Sequence, residues 1–399
     1  MITNEQLKKI ADSYATPAFV FDADELKARA GAIKEILGQI GFVYSIKANP
    51  FLIETLTGSV NAFEVCSPGE LSICKALGVA GEKIIYSGVN KGEKDIREAV
   101  CYGKMGDGKL KSVRVLTAES VRHYELIRQV VEDTGAKVDV ILRLSAKNQF
   151  GMSKEDLFTI LARNKDCAAI SITGIHYFAG TQRTKIKHQR DELAMLSEVL
   201  ADFSEETGIT RPVLEYGPGL FYPYFTDDDF SDTLSPLKEL ADDLHAIEAK
   251  CELSVEMGRF LASSCGIYLT RVADTKTSFD HNWCILDGGI NHVNYLGQMM
   301  GLKIPKLRLL DQKDGDEMHW TLCGSLCTTN DVLIRDFTAP AFSVGDVIAF
   351  ENIGAYSVTE GLNLFLSRTM PHVLLFEGSN VTKLRAPFET WRLNTSAKA

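Results

Sequence analysis

The chain has 399 residues, enough for two or three domains and a large buried core. Its 45% apolar and 24% charged composition is that of an ordinary globular protein. A formal net charge of -10 argues against a nucleic-acid surface, and no apolar run approaches the ~18 residues of a membrane helix, so neither partner is expected. The opening MITNEQLKKIADSYA lacks the apolar stretch of a signal peptide, which predicts a cytoplasmic protein. The nine cysteines contain no Cys-x-x-Cys pair, and neither Cys323 nor Cys327 has a histidine at ligand spacing. No metal site is predicted, and the cysteines read as reduced core residues.

In chain order, the early run AFVF (18–21) comes first. Eight short apolar runs follow, each bounded by turn residues. They are GFVYSI (41–46), AFEV (62–65), KIIY (83–86), SVRVL (112–116), VDVILRL (138–144), AISITGIHY (169–177), PVLEY (212–216) and ELSVEM (252–257). Between them lie helical stretches. In SPGELSICKAL, Leu71, Cys74 and Leu77 fall three apart, and QRDELAMLSEVLADFSEETG ends on a glycine suited to a C-cap. Strands separated by helices of this length pair in parallel. Eight such units predict an α/β fold with a (β/α)8 TIM barrel over 28–257. A doubly wound open sheet competes, but neither glycine-rich nucleotide fingerprint occurs in the turns.

After residue 258 the pattern changes. CGIYLTRVADT, WCILDG, MHWTLCG, DVLIRDF, DVIAFEN and HVLLF are strand-like runs joined by turns. They predict a separate, mostly β C-terminal domain of residues 258–399, with residues 1–27 joining it through AFVF.

Barrel active sites lie at the C-terminal ends of the strands. There the sequence places Lys47, Glu64 with Ser67, Arg143, His176 with Thr181, Gly217-Pro218-Gly219, and Glu256 with Gly258 and Arg259. A lysine at a strand end is ordinarily a solvated charge, yet a partly desolvated one can form a Schiff base with an aldehyde. The Gly-Pro-Gly loop is either a simple turn or a phosphate cradle, and Pro218 has no N–H to offer. Glu256 ends an apolar strand and needs a cationic or N–H partner, either the nearby Arg259 or a protonated ligand nitrogen.

Together, YSIKAN, FEVCSPGEL, the EMGR turn, CGSLCTTND (323–331) and GAY (354–356) resemble the alanine-racemase-like enzymes that use pyridoxal 5'-phosphate (PLP). Within them the chain is most similar to the ornithine and diaminopimelate decarboxylase superfamily, in order from about residue 15 to residue 370. The resemblance implies PLP on Lys47 through a Schiff base and Glu256 on the pyridine nitrogen, where the racemase relatives carry an arginine. It implies a phosphate site at Thr181, Gly217, Gly219, Gly258, Arg259 and Tyr356, with Glu64 and Arg143 near the ring. Cys327 would protonate Cα, and Cys327 and Asp331 would reach the site from the neighbouring subunit of a homodimer.

Departures from the family pattern narrow the substrate. The stacking histidine is replaced in the run Phe178-Ala179-Gly180-Thr181, so Phe178 is expected on the ring face. His176 shares parity with Phe178 and is either a site residue or a hydrogen-bonded barrel histidine. Thr328 follows Cys327 where ornithine and diaminopimelate enzymes carry an acid, so it cannot pair with a distal amine. IHYFAGTQ, YPYF, DGGINH, LGQ and LCTTND are closer to a branch tied to antibiotic and exopolysaccharide pathways, one of whose members acts on a carrier-linked amino acid. The expected activity is PLP-dependent decarboxylation of a small L-amino acid or derivative, free or carrier-linked. The alternatives are diaminopimelate decarboxylase proper and a non-catalytic PLP-binding homologue acting as a binding partner.

Overall fold

The computed structural model describes residues 2–104, 110–295, 301–311 and 313–396. The LGQ run (296–298) lies outside them. The chain divides into two compact units, one of residues 30–221 and 234–260, the other of residues 1–29, 222–233 and 261–399. The segment Tyr222–Thr233 thus belongs with the second unit, not with the stretch 28–257 assigned to the barrel from sequence.

Strand β1 (Ala18–Asp22) belongs to the second unit. The first unit is a closed barrel of eight parallel strands. They are β2 (Gly41–Ser45), β3 (Ala62–Val65), β4 (Ile84–Tyr86), β5 (Val115–Ala118), β6 (Val138–Arg143), β7 (Ile170–Phe178), β8 (Val213–Gly217) and β9 (Glu252–Met257). They pair in sequence order, and β9 closes against β2 through Ser254 beside Gly41. β5 begins three residues later than the run SVRVL suggested, because Val113 and Arg114 are held by turn hydrogen bonds to Ala99, Gly81 and Ile84.

Period-two alternation builds the barrel interior in layers. The lower layer is apolar: Val43, Ala62, Ile85, Val115 and Ile141, with Val213 packed against them. Two residues further along, the same strands present Ser45, Glu64, Arg143 and Glu215, joined by His176 and Glu256. Gly174 allows β7 and β8 to approach, since a Cβ there would lie 1.9 Å from the Val213 carbonyl oxygen. Helix Ile186–Thr207 buries Leu193, Leu196, Val199, Leu200 and Phe203 at three- and four-residue spacing, and ends at Gly208 with φ +74°. In helix Pro68–Ala76, Leu71 and Cys74 are buried, but Leu77 is exposed because it lies just beyond the last helical residue.

The second unit is built on a mixed nine-stranded sheet. Its later strands are β10 (Gly266–Ser278), β11 (His281–Leu286), β12 (Leu307–Leu309), β13 (Met318–Cys323), β14 (Val332–Ala339), β15 (Val347–Glu351), β16 (His372–Glu377) and β17 (Asn380–Arg385). The main path runs β14-β13-β11-β10-β1-β16-β17, while β15 pairs with both β10 and β12. As AFVF suggested, β1 sits mid-sheet, antiparallel to β10 and parallel to β16. An N-terminal helix, Asn4–Tyr14, was not anticipated. It is closed by a Thr3–Gln6 capping box and buries Leu7, Ile10 and Ala11 against the sheet core. This closed parallel barrel and separate β sheet are the predicted architecture.

Gly174→Ala is expected to destabilise by more than about 2 kcal/mol, since the new methyl must displace backbone. Gly31→Ala, exposed mid-helix with open space around it, should instead stabilise by about 0.5–1 kcal/mol. Chemical denaturation of both variants checks the pair.

Candidate active site

Lys47 follows β2 in the short 3-10 turn Ile46–Ala48, at the C-terminal end of the barrel. Its ammonium donates to Glu64 Oε2 at 3.0 Å and lies 3.6 Å from Cys66 Sγ and 5.8 Å from the centre of the Phe178 ring. About a third of the lysine side chain is exposed, against 2% for Glu64. Glu64 is therefore the counter-ion that aims Lys47. Burial, with Glu64 next in effect, pushes the Cys66 thiol well above its ordinary range. Ser67 proves to be the N-cap of helix Pro68–Ala76, accepting from the Glu70 amide.

Glu256 receives two hydrogen bonds within the barrel. His176 Nε2 lies 2.9 Å from Oε2, and Ser45 Oγ donates to Oε1 at 3.3 Å. Its partners are thus His176 and Ser45 rather than the nearby Arg259. His176 is the hydrogen-bonded barrel histidine of the two readings, and its partner is the proposed ring acid. Burial, with Arg143 second, lowers the His176 pKa to about 3. Because a carboxylate only accepts, the neutral ring presents Nε2–H to Glu256. Arg143 is paired elsewhere: it donates to Glu119 at 3.0 Å and lies 4.9 Å over Phe150.

The glycines leave room where a side chain would intrude. A Cβ on Gly217 would come within 2.5 Å of the Phe178 ring and 3.2 Å of Glu256 Oε2. One on Gly219, at φ +61°, would lie 1.7 Å from the Gly180 carbonyl oxygen, and one on Gly258 would lie 3.1 Å from Ala48 Cβ. Across this carbon-poor cradle Arg259 Nε donates to Thr181 Oγ1 at 3.4 Å. An amine at the mouth, a buried carboxylate below and a glycine-lined basic rim fit an aldehyde-bearing, phosphorylated pyridine.

Cys327, Asp331 and Tyr356 lie in the β unit. Cys327 is exposed in the loop between β13 and β14. Asp331 is buried, and its carboxylate accepts from the amides of Ile290 and Leu326, tying the DGG turn to the cysteine loop. Burial raises its pKa, and those two N–H bonds oppose the shift. Thr328 Oγ1 accepts from the Asn330 amide, closing the same loop. Tyr356 has φ +67°, a conformation uncommon outside glycine, and precedes the short helix Ser357–Glu360.

Glu119, Cys66 and Glu215 were missed by sequence reasoning. Each continues the inward parity of its strand (Thr117 to Glu119, Glu64 to Cys66, Val213 to Glu215), so the signal was the alternation that identified His176.

His176→Gln tests the neutral histidine. An unfolded histidine takes a proton below about 6.5, whereas His176 accepts one only near about 3, so acid favours unfolding between those values. The variant should lose less stability on acidification through that window, by up to about 1.4 kcal/mol per pH unit, in urea titrations of the apoprotein.

Residues 23–263 match the family model described as the pyridoxal binding domain of pyridoxal-dependent decarboxylases. The chain is 24% identical to the L-glutamyl-[BtrI acyl-carrier protein] decarboxylase of Niallia circulans, covering 95% of this chain and 93% of that protein. It is 22% identical to the diaminopimelate decarboxylase of Aquifex aeolicus, covering 95% and 91%. In structure it resembles the diaminopimelate decarboxylase of M. jannaschii solved with L-lysine, at a TM-score of 0.81 and 23% identity over 95% of this chain and 91% of that one. Among the described residues, no helix is long and apolar enough to cross a membrane. With the barrel and this family match, the chain belongs to the pyridoxal-dependent decarboxylases, lyases whose cofactor is pyridoxal 5'-phosphate.

Proposed function

We propose that this protein decarboxylates an L-amino acid or an amino-acid derivative, with Lys47 as the cofactor's anchor and Glu256 as the partner of its pyridine nitrogen. The observation that carries the reading is two paired geometries in the barrel: Lys47 held by Glu64 at 3.0 Å, and Glu256 held by His176 at 2.9 Å. PLP, when bound, supplies an electron sink for the pair left on Cα as carbon dioxide leaves. The chain's own groups do the rest. Glu64 aims the Lys47 amine, and His176 with Ser45 fixes the Glu256 carboxylate so that it can hold a ring proton. Phe178 covers a ring face without adding a titratable group. Thr181, Gly217, Gly219, Gly258 and Arg259 form the phosphate rim in the barrel. Arg143, through Glu119, stabilises the wall beside His176.

Cys327 is assigned the proton delivered to Cα, at the barrel of a partner copy. Its exposure supports delivery to another subunit, as do the exposed Leu362, Leu364, Phe365, Leu366 and Trp391 of the same unit, an apolar set suited to a homodimer. Asp331 serves that step by fixing the cysteine loop. Cys327→Ala should keep PLP but slow turnover about tenfold or more and yield side products of failed Cα protonation, by product analysis. Unchanged turnover and purity would remove Cys327 from the step.

Thr328 supports a substrate without a free distal ammonium group, and the Niallia circulans relative makes a carrier-linked amino acid a specific candidate. Diaminopimelate is the second reading, favoured by relatives such as the Aquifex aeolicus enzyme. The test is a screen of free and carrier-linked amino acids with the PLP-loaded protein, and Lys47→Ala as control. Turnover of a derivative, abolished with the visible PLP band in Lys47→Ala, is the expected result. Exclusive turnover of diaminopimelate or ornithine would reject the substrate class, and a wild type that stays colourless with PLP would reject the cofactor site.

A further inference from the structure

Glu215 has no place in the mechanism above, yet it lies in the same interior layer. On β8 it stands in register with His176 of β7, and its side chain is sealed inside the barrel, as are those of His176 and Glu256. One polar atom from each of the three lies within 4.8 Å of the others. Two of their polar atoms have no hydrogen-bond partner among the described residues, Glu215 Oε1 and His176 Nδ1.

The charges of this layer do not balance if both acids are ionised. Lys47 is paired with Glu64 and Arg143 with Glu119, while Arg114, at the opposite end of the strands, faces the exposed Glu252. No ion pair reaches Glu215 among the described residues, and His176 is neutral. Two adjacent buried carboxylates without a cation are too costly to persist, so one takes a proton. Glu256 accepts from two donors. Glu215 Oε1 accepts from none.

We propose that Glu215 is a positioning residue held as a neutral carboxylic acid, so that no second carboxylate charge stands beside Glu256. The proton makes a donor of Glu215 Oε1, which accepts from no group among the described residues. The groups around it act in both directions: burial, Glu256 and Glu64 raise the Glu215 pKa, in that order, and Arg114 and Lys47 oppose them less strongly. The proton's location rests on the geometry alone; its value to catalysis, focusing charge at the ring nitrogen, rests on the role proposed for Glu256.

Infrared difference spectroscopy with carboxyl-labelled glutamate tests it on both the apoprotein and the PLP-loaded protein. A buried carboxylic-acid carbonyl band should be present at neutral pH and absent in Glu215→Gln, with Glu215→Met replacing that variant if the amide does not fold. A wild type without the band, or a band that survives the substitution, overturns the proposal whether or not the protein is a decarboxylase. Since an amide reproduces a neutral acid, Glu215→Gln should bind PLP within about threefold of the wild type, and a loss of about tenfold or more would show that an anion is needed. Near-stoichiometric divalent metal, bound by the purified protein and lost in Glu215→Gln, also overturns it, because a metal would take Glu215 as an anion.

Discussion

A side chain pointing into a closed eight-stranded barrel has no solvent to retreat to, and the rest of the site follows from that constraint. Charges are admitted to the interior only with partners, and the barrel supplies them from adjacent or nearby strands. Glu64 on β3 meets Lys47 beyond β2, Glu119 beyond β5 meets Arg143 on β6, and His176 on β7 meets Glu256 on β9. Each contact joins groups far apart in sequence, and each orients a group that would otherwise sample many rotamers.

Depth then separates groups of similar chemistry. Lys47, at the rim, keeps part of its side chain in water and can be approached from outside. Lys91 is buried against Gly88 and Tyr86, and burial lowers its pKa to about 8. Glu64 and Glu256, both buried, differ in their partners: one neutralises an ammonium, the other accepts from neutral donors. The glycines at 217, 219 and 258 complete the arrangement by removing the carbon that would fill the space above these groups.

The β unit solves a related problem with backbone amides. Asp331 is buried, and its carboxylate is taken up by two amides from two different loops. It thereby sets the path of the chain through Cys327 and Thr328. Tyr356 is another point where conformation is imposed from outside, since its positive φ is not a local preference.

Strand periodicity, turn residues and helix caps are local, so the eight barrel strands, the change of pattern near residue 258 and the early strand AFVF were legible in the sequence. The motif YSIKAN and the EMGR turn pointed to the family for the same reason: they are contiguous. The pairings were not legible. Arg259 looked like the natural partner of Glu256 because it is three residues away, but the barrel closes Glu256 against a histidine eighty positions earlier. Glu215 carried the right parity, yet only the folded barrel shows that no ion pair reaches it among the described residues. Residues 222–233 likewise read as part of the barrel stretch, whereas the folded chain packs them with the β unit. Local sequence determined which residues face inward; barrel closure decided which of them meet, because the energy of a buried charge depends on partners that no short segment contains.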